Sequence, residues 1–328
     1  MRERRLVVHH FDPLAPGLGG IDTCIRGLVR FSRSTRFAFV ATDTSGEQPR
    51  GRWLRREVAE SQRSAATCYV ASSGGTRERI PNGLRLAAGA AAHARTIRRA
   101  HPDVVQVHRP EIALIARRLF PDARLDLFVH EDATNWTGET SGSHWTRALP
   151  RYLAVQKRAV EATDRVVSFS PTAAERLAEL HDDVLSVPTW FDPERFQVHP
   201  AAEATTGSVL WIGRLEAVKD PLLALETLER LPDDHRLTMV GAGSIRAEIE
   251  GEVQRRRLRD RVDLVGQVDK DEIAALMRAH ALLLMTSHSE GFPRALVETL
   301  ASGSADPQRC RTTVADRAAP DVVRRILT

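Results

Sequence analysis

The fold class is decided by one stretch of the sequence, Val209-Leu-Trp-Ile-Gly-Arg-Leu-Glu-Ala-Val-Lys-Asp-Pro221. It begins with a short apolar run, which is typical of a buried strand, and continues into a glycine turn. Pro221 suits the first turn of a helix, because the N–H groups of that turn have no partner inside the helix. Leu222, Leu225 and Leu228 then form one apolar stripe, as in a helix that faces a core. The stretch therefore predicts a strand–turn–helix unit of an α/β fold.

The same alternation of apolar runs and helical patterns extends along the chain. It predicts strands at residues 6–11, 37–42, 67–71, 104–108, 125–130 and 165–170, and then at 209–213, 236–240, 262–265 and 281–286. It predicts helices at residues 21–34, 82–99, 145–162 and 172–180, and then at 221–231, 244–257, 270–280 and 293–302. Continuous apolar strands separated by helices indicate parallel sheets covered on both faces. We therefore predict an α/β protein with two Rossmann-like, doubly wound domains.

A proline-rich stretch at residues 187–200 separates the two halves. Its prolines and its lack of helical periodicity predict a linker that belongs to neither sheet. We predict an N-terminal domain at residues 1–187, a linker at 188–200 and a C-terminal domain at 201–328. Two such domains are expected to face a cleft, because open α/β sheets bind ligands at the carboxyl ends of their strands.

Composition and charge indicate which kinds of protein this sequence can be. Hydrophobic residues make up 42% of the 328 residues and charged residues 27%, which is enough for sizeable cores. The net charge is +4, but no predicted helix has a continuous basic face, so we do not predict nucleic-acid binding. Widely spaced cysteines, the lack of a secretory leader and the lack of a long apolar run favour a cytoplasmic protein.

Two carboxylates flank the start of a predicted helix. The segment Ser289-Glu-Gly-Phe-Pro-Arg-Ala-Leu-Val-Glu298 follows an apolar strand and opens a helix near Pro293. Glu290 is predicted in the loop, where its carboxylate can accept hydrogen bonds from sugar hydroxyls. The backbone N–H groups of residues 291–294 would form a positively polarised helix N-terminus suited to phosphate. The alternative is that Glu290 caps the helix and Glu298 is a solvated helix residue.

Two cations follow the strand at residues 209–213. After the turn at Gly213, Arg214 and Lys219 are predicted to reach toward the same sheet edge as Glu290. Two cations here would neutralise a departing diphosphate without a metal ion. The alternative is a pair of surface cations, which is disfavoured because they would oppose the dipole of the helix that follows.

Glycine-rich turns follow two further strands. In Pro13-Leu-Ala-Pro-Gly-Leu-Gly-Gly20, the glycines Gly19 and Gly20 would let the backbone approach an anion at a helix start. Their spacing is not that of a dinucleotide fingerprint, and any tight strand–helix turn would look similar. The turn Gly241-Ala-Gly243 either lines a nucleotide pocket or is a plain turn.

Two histidines, His108 and His130, end predicted strands. Carboxyl strand ends are where cleft residues lie in this fold class. From the residues alone, each histidine is better explained as a hydrogen-bonded loop residue.

Together these motifs resemble those of the family-four retaining glycosyltransferases, which have the GT-B fold. Glu290 and Glu298 match the family's E-x7-E signature. Arg214 and Lys219 match its G-R-x-x-x-x-K-G motif, with Asp220 in place of the last glycine. The resemblance also includes the Gly-Gly pair and a strand that ends in histidine.

The resemblance implies a role for each matched residue. Glu290 would hold hydroxyls of the donor sugar, Glu298 the ribose, and His130 the transferred sugar. Arg214 and Lys219 would bind the donor phosphates. His108 matches a more structural position and stays undecided. The implied catalytic residues are Glu290, His130, Arg214 and Lys219, and the implied donor-binding residues are Gly19, Gly20, Gly213, Arg214, Lys219, Glu290, Gly291, Phe292, Pro293 and Glu298.

The implied reaction moves a sugar from a nucleotide-diphosphate sugar to a hydroxyl acceptor with retention of configuration. The donor would be a UDP-, GDP- or other NDP-sugar, and no metal or other cofactor is expected. The acceptor would be a glycan, a lipid-linked glycan or a small molecule, and polysaccharide biosynthesis is one pathway consistent with this chemistry.

The sequence departs from the family pattern after Gly303, where Ser304-Ala-Asp-Pro-Gln replaces the usual proline and short strand. We therefore expect the second domain to be incomplete, with an uncovered strand at residues 281–285 and without a helix that returns to the first domain. One alternative is a catalytically impaired sugar-nucleotide-binding or partner subunit. A sugar-nucleotide epimerase of the same architecture is less favoured, because the Glu290–Glu298 spacing speaks against it.

An arginine cluster surrounds Trp53 after the second predicted strand. It is interpreted as a solvated helix face, with a contact to an acceptor or to the anionic inner surface of the membrane as the alternative. The cluster consists of Arg50, Arg52, Arg55 and Arg56.

Overall fold

The computed structural model describes residues 2–15, 20–72, 82–130, 149–198, 204–288, 293–303 and 317–327. These residues form two compact units. The first unit contains the described residues up to Pro188 and those from Val323 onward, and the second contains the described residues of Thr189–Val322. Within the described ranges, no helix is both long enough and apolar enough to cross a membrane.

The first unit is built on one sheet. Its strands are β1 (Arg4–Val8), β2 (Arg36–Asp43), β3 (Trp53–Val58), β4 (Arg63–Ser72), β5 (Val104–Val107), β6 (Arg124–Val129), β7 (Arg165–Ser168) and β8 (Val184–Ser186). They lie in the order β3-β4-β2-β1-β5-β6-β7-β8. The pairings are parallel except between β3 and β4. β5 is buried at every position, as expected for an apolar strand that is covered on both faces.

Helices follow most of these strands and cover the sheet. They are α1 (Gly20–Phe31), α2 (Asn82–Ala92), α3 (Ala94–Arg98), α4 (Pro110–Leu119), α5 (Leu149–Glu161) and α6 (Pro171–Ala178). α4 and α6 both begin with a proline, and the Ser170 hydroxyl caps α6 by accepting the N–H of Ala173 at 3.3 Å. Side chains of α2, α4 and α6 pack with those of β1, β5 and β6 in one apolar core.

The second unit repeats this arrangement on a smaller sheet. Its strands are β9 (Thr205–Ile212), β10 (Arg236–Val240), β11 (Val262–Gly266) and β12 (His280–Leu283), in the parallel order β11-β10-β9-β12. Its helices are α7 (Pro221–Glu229), α8 (Arg246–Arg255), α9 (Lys270–Ala279), α10 (Arg294–Ala301) and the start of α11 (Ala319–Leu327), and a 3-10 turn at Ala217–Lys219 precedes α7. β12 is an edge of the described sheet, and Leu282 is 50% exposed on it. The predicted α/β class with two Rossmann-like units is confirmed.

The proline-rich stretch is not separate from both sheets. Phe191 and Phe196 are buried in an apolar cluster of the second unit, together with Leu210 of β9 and Val297 of α10. Residues after Pro188 therefore belong to the second unit, and the prediction of a linker that belongs to neither sheet is wrong here. The prolines interrupt helical periodicity, but the aromatic side chains between them are buried.

The expectation of a lost returning helix is also wrong. α11 begins in the second unit, and its residues from Val323 onward belong to the first. The Arg325 guanidinium donates to the carbonyl of Ser186 at 3.3 Å within the first unit. Val322, Val323 and Ile326 are almost fully buried. The short apolar pattern near the end of the chain was therefore sufficient for a packed helix.

The arginine cluster lies around an edge strand and not on a helix. β3 pairs antiparallel with β4, and Trp53 donates from its indole N–H to the carbonyl of Thr96 at 2.8 Å. Arg56 donates to the side-chain carbonyl of Gln48, whereas Arg55 is exposed. The helical interpretation is wrong because alternate residues of β3 face solvent, which made the segment look polar. The strands β3 and β8 and the helix α4 were not predicted.

Candidate functional site

In the second unit, the loop after β10 supports the loop after β9 through backbone contacts. Gly213 donates its N–H to the carbonyl of Val240 at 3.0 Å, and Leu215 donates to that of Ala242 at 3.0 Å. A Cβ on Gly241, whose φ is +142°, would lie 1.8 Å from the carbonyl oxygen of Gly213. Only glycine permits this approach. The backbone therefore requires Gly241, which favours the structural interpretation of this turn.

The loop after β12 is joined to the same loop. The Thr286 hydroxyl donates to the carbonyl of Lys219 at 2.8 Å and accepts the indole N–H of Trp211 on β9 at 2.9 Å. The His288 N–H donates to a carbonyl of the 3-10 turn at 3.2 Å. Two loops predicted independently thus lie side by side at the carboxyl edge of this sheet, and Thr286 and His288 of the second contact the loop that contains Lys219.

Both predicted cations follow β9. The Arg214 side chain is exposed and forms no hydrogen bond or ion pair with any described residue, whereas Lys219 is half buried at the end of the 3-10 turn. Glu216 lies nearby, but its carboxylate accepts the hydroxyl of Ser244 at 2.7 Å and the N–H of Ser244 at 3.0 Å. These two hydrogen bonds lower the pKa of Glu216 first, and the charge of Arg214 adds to them. The Arg214 guanidinium remains exposed to an incoming anion.

Asp220 shows why the resembled motif has glycine at this position. Its backbone lies in the left-handed region, with φ +43° and ψ +59°, which glycine adopts freely and aspartate more readily than most residues. The aspartate also caps α7, because its carboxylate accepts the N–H of Leu223 at 3.1 Å. It lies 3.0 Å from Nε2 of His288 in the loop after β12. The substitution therefore keeps the turn and adds a cap.

The structure describes part of the Glu290–Glu298 motif. Glu290, Gly291 and Phe292 lie outside the described residues, whereas Pro293 is the N-cap residue of α10. Glu298 lies on the buried side of α10 and is 9% exposed, so its interpretation as a solvated helix residue is wrong.

Burial also changes the acidity of Glu298. It raises the pKa of this carboxyl to about 6, against the opposing positive charges of Arg294, Lys270 and Arg195. Within the described ranges, no side chain forms an ion pair with it at contact distance. A buried carboxyl with a displaced pKa is a candidate functional group.

In the first unit, three neighbouring strands end next to a histidine. His9 follows β1, His108 follows β5 and His130 follows β6. The ring centroid of His108 lies 5.2 Å from that of His9 and 5.1 Å from that of His130. Desolvation lowers the pKa of His9 and that of His108 well below the ordinary value of 6.5. Both rings are therefore neutral at pH 7.

A buried hydrogen-bond chain orients His130. Arg5 and Asp126 form an ion pair at 2.8 Å with no side-chain exposure, and Arg5 also donates to Oε1 of Gln106 at 3.3 Å. Because the side-chain oxygen of Gln106 accepts from Arg5, its amide nitrogen faces Nε2 of His108, at 2.8 Å, and donates to it. Nε2 of the neutral His108 then accepts, so Nδ1 carries the proton and donates to Nε2 of His130 at 2.8 Å. His130 therefore carries its own proton on Nδ1.

The predicted glycine turn after β1 is described only in part. Gly19 lies outside the described residues, and Gly20 is the exposed first residue of α1, with open space where a Cβ would lie. The start of this loop is held by Arg26, which donates to the carbonyls of Pro13 and Asp12, each at 3.1 Å. Packing gives no reason for glycine at position 20.

Several residues of these two edges were not predicted. His9 carries the same signal as His108 and His130, a histidine at the end of an apolar strand, and could have been found. Gln106 and Thr286 carry no local signal. Gln106 contacts Arg5 because the strand register pairs Arg5 of β1 with Val104 of β5. Sequence spacing does not set that register.

Part of the chain is similar in sequence to known glycosyltransferases. Residues 194–305 match the family model described as "Glycosyl transferases group 1". The matched part of the second unit, called the group 1 segment below, contains both loops described above. The glycogen synthase of Mycobacterium tuberculosis is 28% identical over 216 residues, which is 62% of this chain and 51% of that protein. The chain spans about half the length of the curated relatives it matches.

Solved structures share the fold over almost the whole chain. Sucrose-phosphate synthase from Thermosynechococcus elongatus superposes with a TM-score of 0.73 at 18% identity, over 99% of this chain and 94% of that one. The Anabaena HepE protein in complex with UDP and glucose gives a TM-score of 0.65 at 13% identity, over 97% and 92%. These likenesses support the predicted GT-B class.

Proposed function

We propose that the protein transfers a sugar from a nucleotide-diphosphate sugar to a hydroxyl acceptor, with retention and without a metal ion. The observation that carries the proposal is the junction of two loops in the second unit, where Thr286 holds the carbonyl of Lys219 at 2.8 Å. The hydrogen bond joins the loop of Arg214 and Lys219 to the described residues that precede the Glu290 motif in the chain. The group 1 segment and the UDP- and glucose-bound structural neighbour support the same donor class.

The donor phosphates would be bound by Arg214 and Lys219. Both follow β9, and the backbone of their loop is held on two sides, by the turn at Gly241 and by Thr286. A fixed loop presents its cations without a large ordering cost, which is the requirement for stabilising charge that grows on a leaving diphosphate. The exposed guanidinium of Arg214 suits a bidentate phosphate contact.

The nucleoside and the sugar would be held by carboxylates. Glu298 is buried, and its ionised form lacks an ion-pair partner among the described residues. Such a group accepts hydrogen bonds from paired ribose hydroxyls and is itself stabilised by them. The resemblance assigns the sugar hydroxyls to Glu290, which precedes the positively polarised start of α10.

His130 would orient the transferred sugar by donation. The buried chain from Arg5 through Gln106 and His108 leaves the proton of His130 on Nδ1. Nδ1 is therefore a fixed donor for a sugar hydroxyl oxygen. A neutral histidine with one defined tautomer is better suited to positioning than to accepting a proton.

In the transfer step, the bond between the anomeric carbon and the donor phosphate oxygen breaks. The bond between the anomeric carbon and the acceptor oxygen forms on the same face of the sugar. The acceptor's proton passes to the phosphate oxygen that leaves, so atoms and charge balance without an enzyme base. The protein stabilises the charge on that phosphate through Arg214, Lys219 and the start of α10.

The test is the double variant Arg214→Ala/Lys219→Ala of the full chain, assayed for turnover against UDP-, GDP-, ADP- and dTDP-sugars. We expect kcat/KM for the preferred donor to fall by about a thousandfold or more, which corresponds to about 4 kcal/mol. The matched control is Arg230→Ala/Arg259→Ala, which removes two exposed arginines away from both loops. Near-normal turnover in the first double variant would overturn the phosphate assignment.

Binding separates the proposed enzyme from its alternative. Ligand-observed NMR with the same donors should detect binding by the wild-type chain, followed by slow donor hydrolysis. Binding without turnover under any condition would instead support the impaired donor-binding subunit. Lack of binding to all four donor classes would exclude both.

A further inference from the structure

At the carboxyl edge of the first sheet, a cysteine joins two of the histidines. Cys24 lies on α1, which follows β1, whereas His108 and His130 follow β5 and β6. One potential ligand atom of each residue lies within 4.8 Å of the corresponding atoms of the other two. We propose that Cys24, His108 and His130 form a binding site for a transition metal ion of the Zn²⁺ class.

The donor set decides the class of ion. A thiolate and two imidazoles are ligands of zinc and other borderline or soft metals, whereas Mg²⁺ and Ca²⁺ select oxygen ligands. With bonds of about 2.0 to 2.3 Å, tetrahedral zinc separates its ligands by about 3.5 Å, so small side-chain movements suffice.

His9 provides a second observation at the same place. Its Nδ1 is buried and has no hydrogen-bond partner among the described residues. Its ring centroid lies 5.2 Å from that of His108. A buried polar nitrogen without a partner is costly, so this unpaired nitrogen marks a polar environment beside the cluster. Water is the candidate fourth ligand in an open position, and the His9 ring lies next to the cluster.

The hydrogen bond between Nδ1 of His108 and Nε2 of His130 has to break if both of these nitrogens bind the ion. The thiol of Cys24 then releases a proton to solvent, and the proton of His108 moves from Nδ1 to Nε2. The Gln106 amide has to turn so that its oxygen accepts that proton, as oxygen acceptors do behind zinc-bound histidines. This turn removes the 3.3 Å hydrogen bond from Arg5. We therefore expect reversible binding, weaker than in structural zinc sites.

The site goes beyond the proposed transfer reaction and has its own consequence. A metal ion on His130 would occupy the group proposed to orient the sugar. Zinc would then inhibit transfer by competing with the sugar, since the proposed reaction uses no metal ion. The binding measurement does not depend on the proposed function, because it uses the metal alone.

The experiment titrates the full chain with Co²⁺ and, separately, with Zn²⁺. Cobalt bound to a thiolate gives a ligand-to-metal charge-transfer band, and isothermal titration calorimetry gives the affinity for zinc. All variants carry Cys310→Ser, because Cys310 lies outside the described residues and offers another thiol. The matched control is Cys68→Ser, which removes a buried cysteine of β4 that is not part of the cluster.

We expect one ion per chain, a charge-transfer band, and retention of both in Cys68→Ser. Cys24→Ser should lose the band, and Cys24→Ser and His130→Gln should each weaken zinc binding by at least about tenfold. Circular dichroism checks that the variants fold. If Cys24→Ser does not fold, His130→Gln alone provides the test. The proposal is overturned if the wild-type chain shows no band, if the band persists in Cys24→Ser, or if zinc affinity is unchanged in both cluster variants.

Discussion

The carboxyl edges of the two sheets are built in different ways. In the second unit, the loop after β9 is held largely through its backbone, as where Gly241 lies against the backbone of Gly213, and Thr286 adds one side-chain contact. In the first unit, side chains do so, through the ion pair of Arg5 with Asp126 and the chain from Gln106 to His130. A backbone-built edge depends on a few glycines at fixed spacings. A side-chain-built edge depends on the register of neighbouring strands.

The variant with the largest expected effect disrupts the backbone contacts between the loops of the second unit. Gly241→Ala would put a Cβ 1.8 Å from the carbonyl oxygen of Gly213, at a φ of +142°. We expect the free energy of unfolding to fall by about 3 kcal/mol or more, and donor binding to be lost with the loop geometry. Chemical denaturation and donor titration measure the two effects. As a control, Gly251→Ala in α8 meets no atom within 4 Å and should stabilise the protein by about 0.5–1 kcal/mol. Equal stability of the two variants would contradict the close approach.

The next effect concerns the buried carboxyl of the same edge. Because burial raises the pKa of Glu298 to about 6, the folded chain binds its proton more tightly than the unfolded chain, whose pKa is near the ordinary 4.5. This contribution to stability is complete below pH 4.5 and is lost as the pH rises through 6. Glu298→Gln should therefore be more stable than the wild-type chain at pH 8 by about 2 kcal/mol, and should bind donor more weakly.

Denaturation at a series of pH values tests this prediction. The stability difference between Glu298→Gln and the wild-type chain should vanish toward low pH. Glu248→Gln, which changes an exposed acid in the first turn of α8, is the matched control for the loss of one carboxylate. A stability difference that does not vary with pH would show that Glu298 is not the titrating group.

A related effect tests the turn at Asp220. Asp220→Ala loses the cap of α7 and places alanine in the left-handed region, so we expect a loss of about 2 kcal/mol in unfolding free energy. Asp220→Gly keeps the backbone conformation, and its loss should stay below about 0.5 kcal/mol. Thermal denaturation of both variants compares them. If glycine were as destabilising as alanine, the φ of +43° would not be the reason for the motif's usual residue.

The smallest expected effect concerns the hydrogen-bond chain of the first unit. Gln106→Met removes the amide that donates to His108, so the two histidines should lose their single tautomer. Imidazole ¹⁵N shifts should show a mixture of tautomers for His130, and transfer should fall by about tenfold, which corresponds to about 1.4 kcal/mol. Thr67→Val changes another fully buried polar residue, on β4, and should leave these shifts unchanged. A single unchanged tautomer in Gln106→Met would disprove the orienting chain.

The two edges also differ in how far the sequence predicted them. The strand–turn–helix pattern after β9 predicted Arg214, Lys219 and their glycine turn, because each part is local. Phe191 and Phe196 were assigned to a linker, since prolines hide the burial of the aromatic residues between them. β3 was interpreted as a helix face because an edge strand exposes alternate residues. Gln106 was missed because its partners come from β1 and from the end of its own strand.

The sequence by itself determined the α/β class, the cation pair and the glycine turns, because these depend on period, on side-chain chemistry and on backbone freedom at single positions. Only the tertiary structure decided that Thr286 holds the Lys219 carbonyl, that Glu298 is buried, and that Cys24 lies beside His108 and His130. Each of these depends on which strands are neighbours and in which register. Distances between residues far apart in the chain are set by packing, and a linear pattern does not contain them.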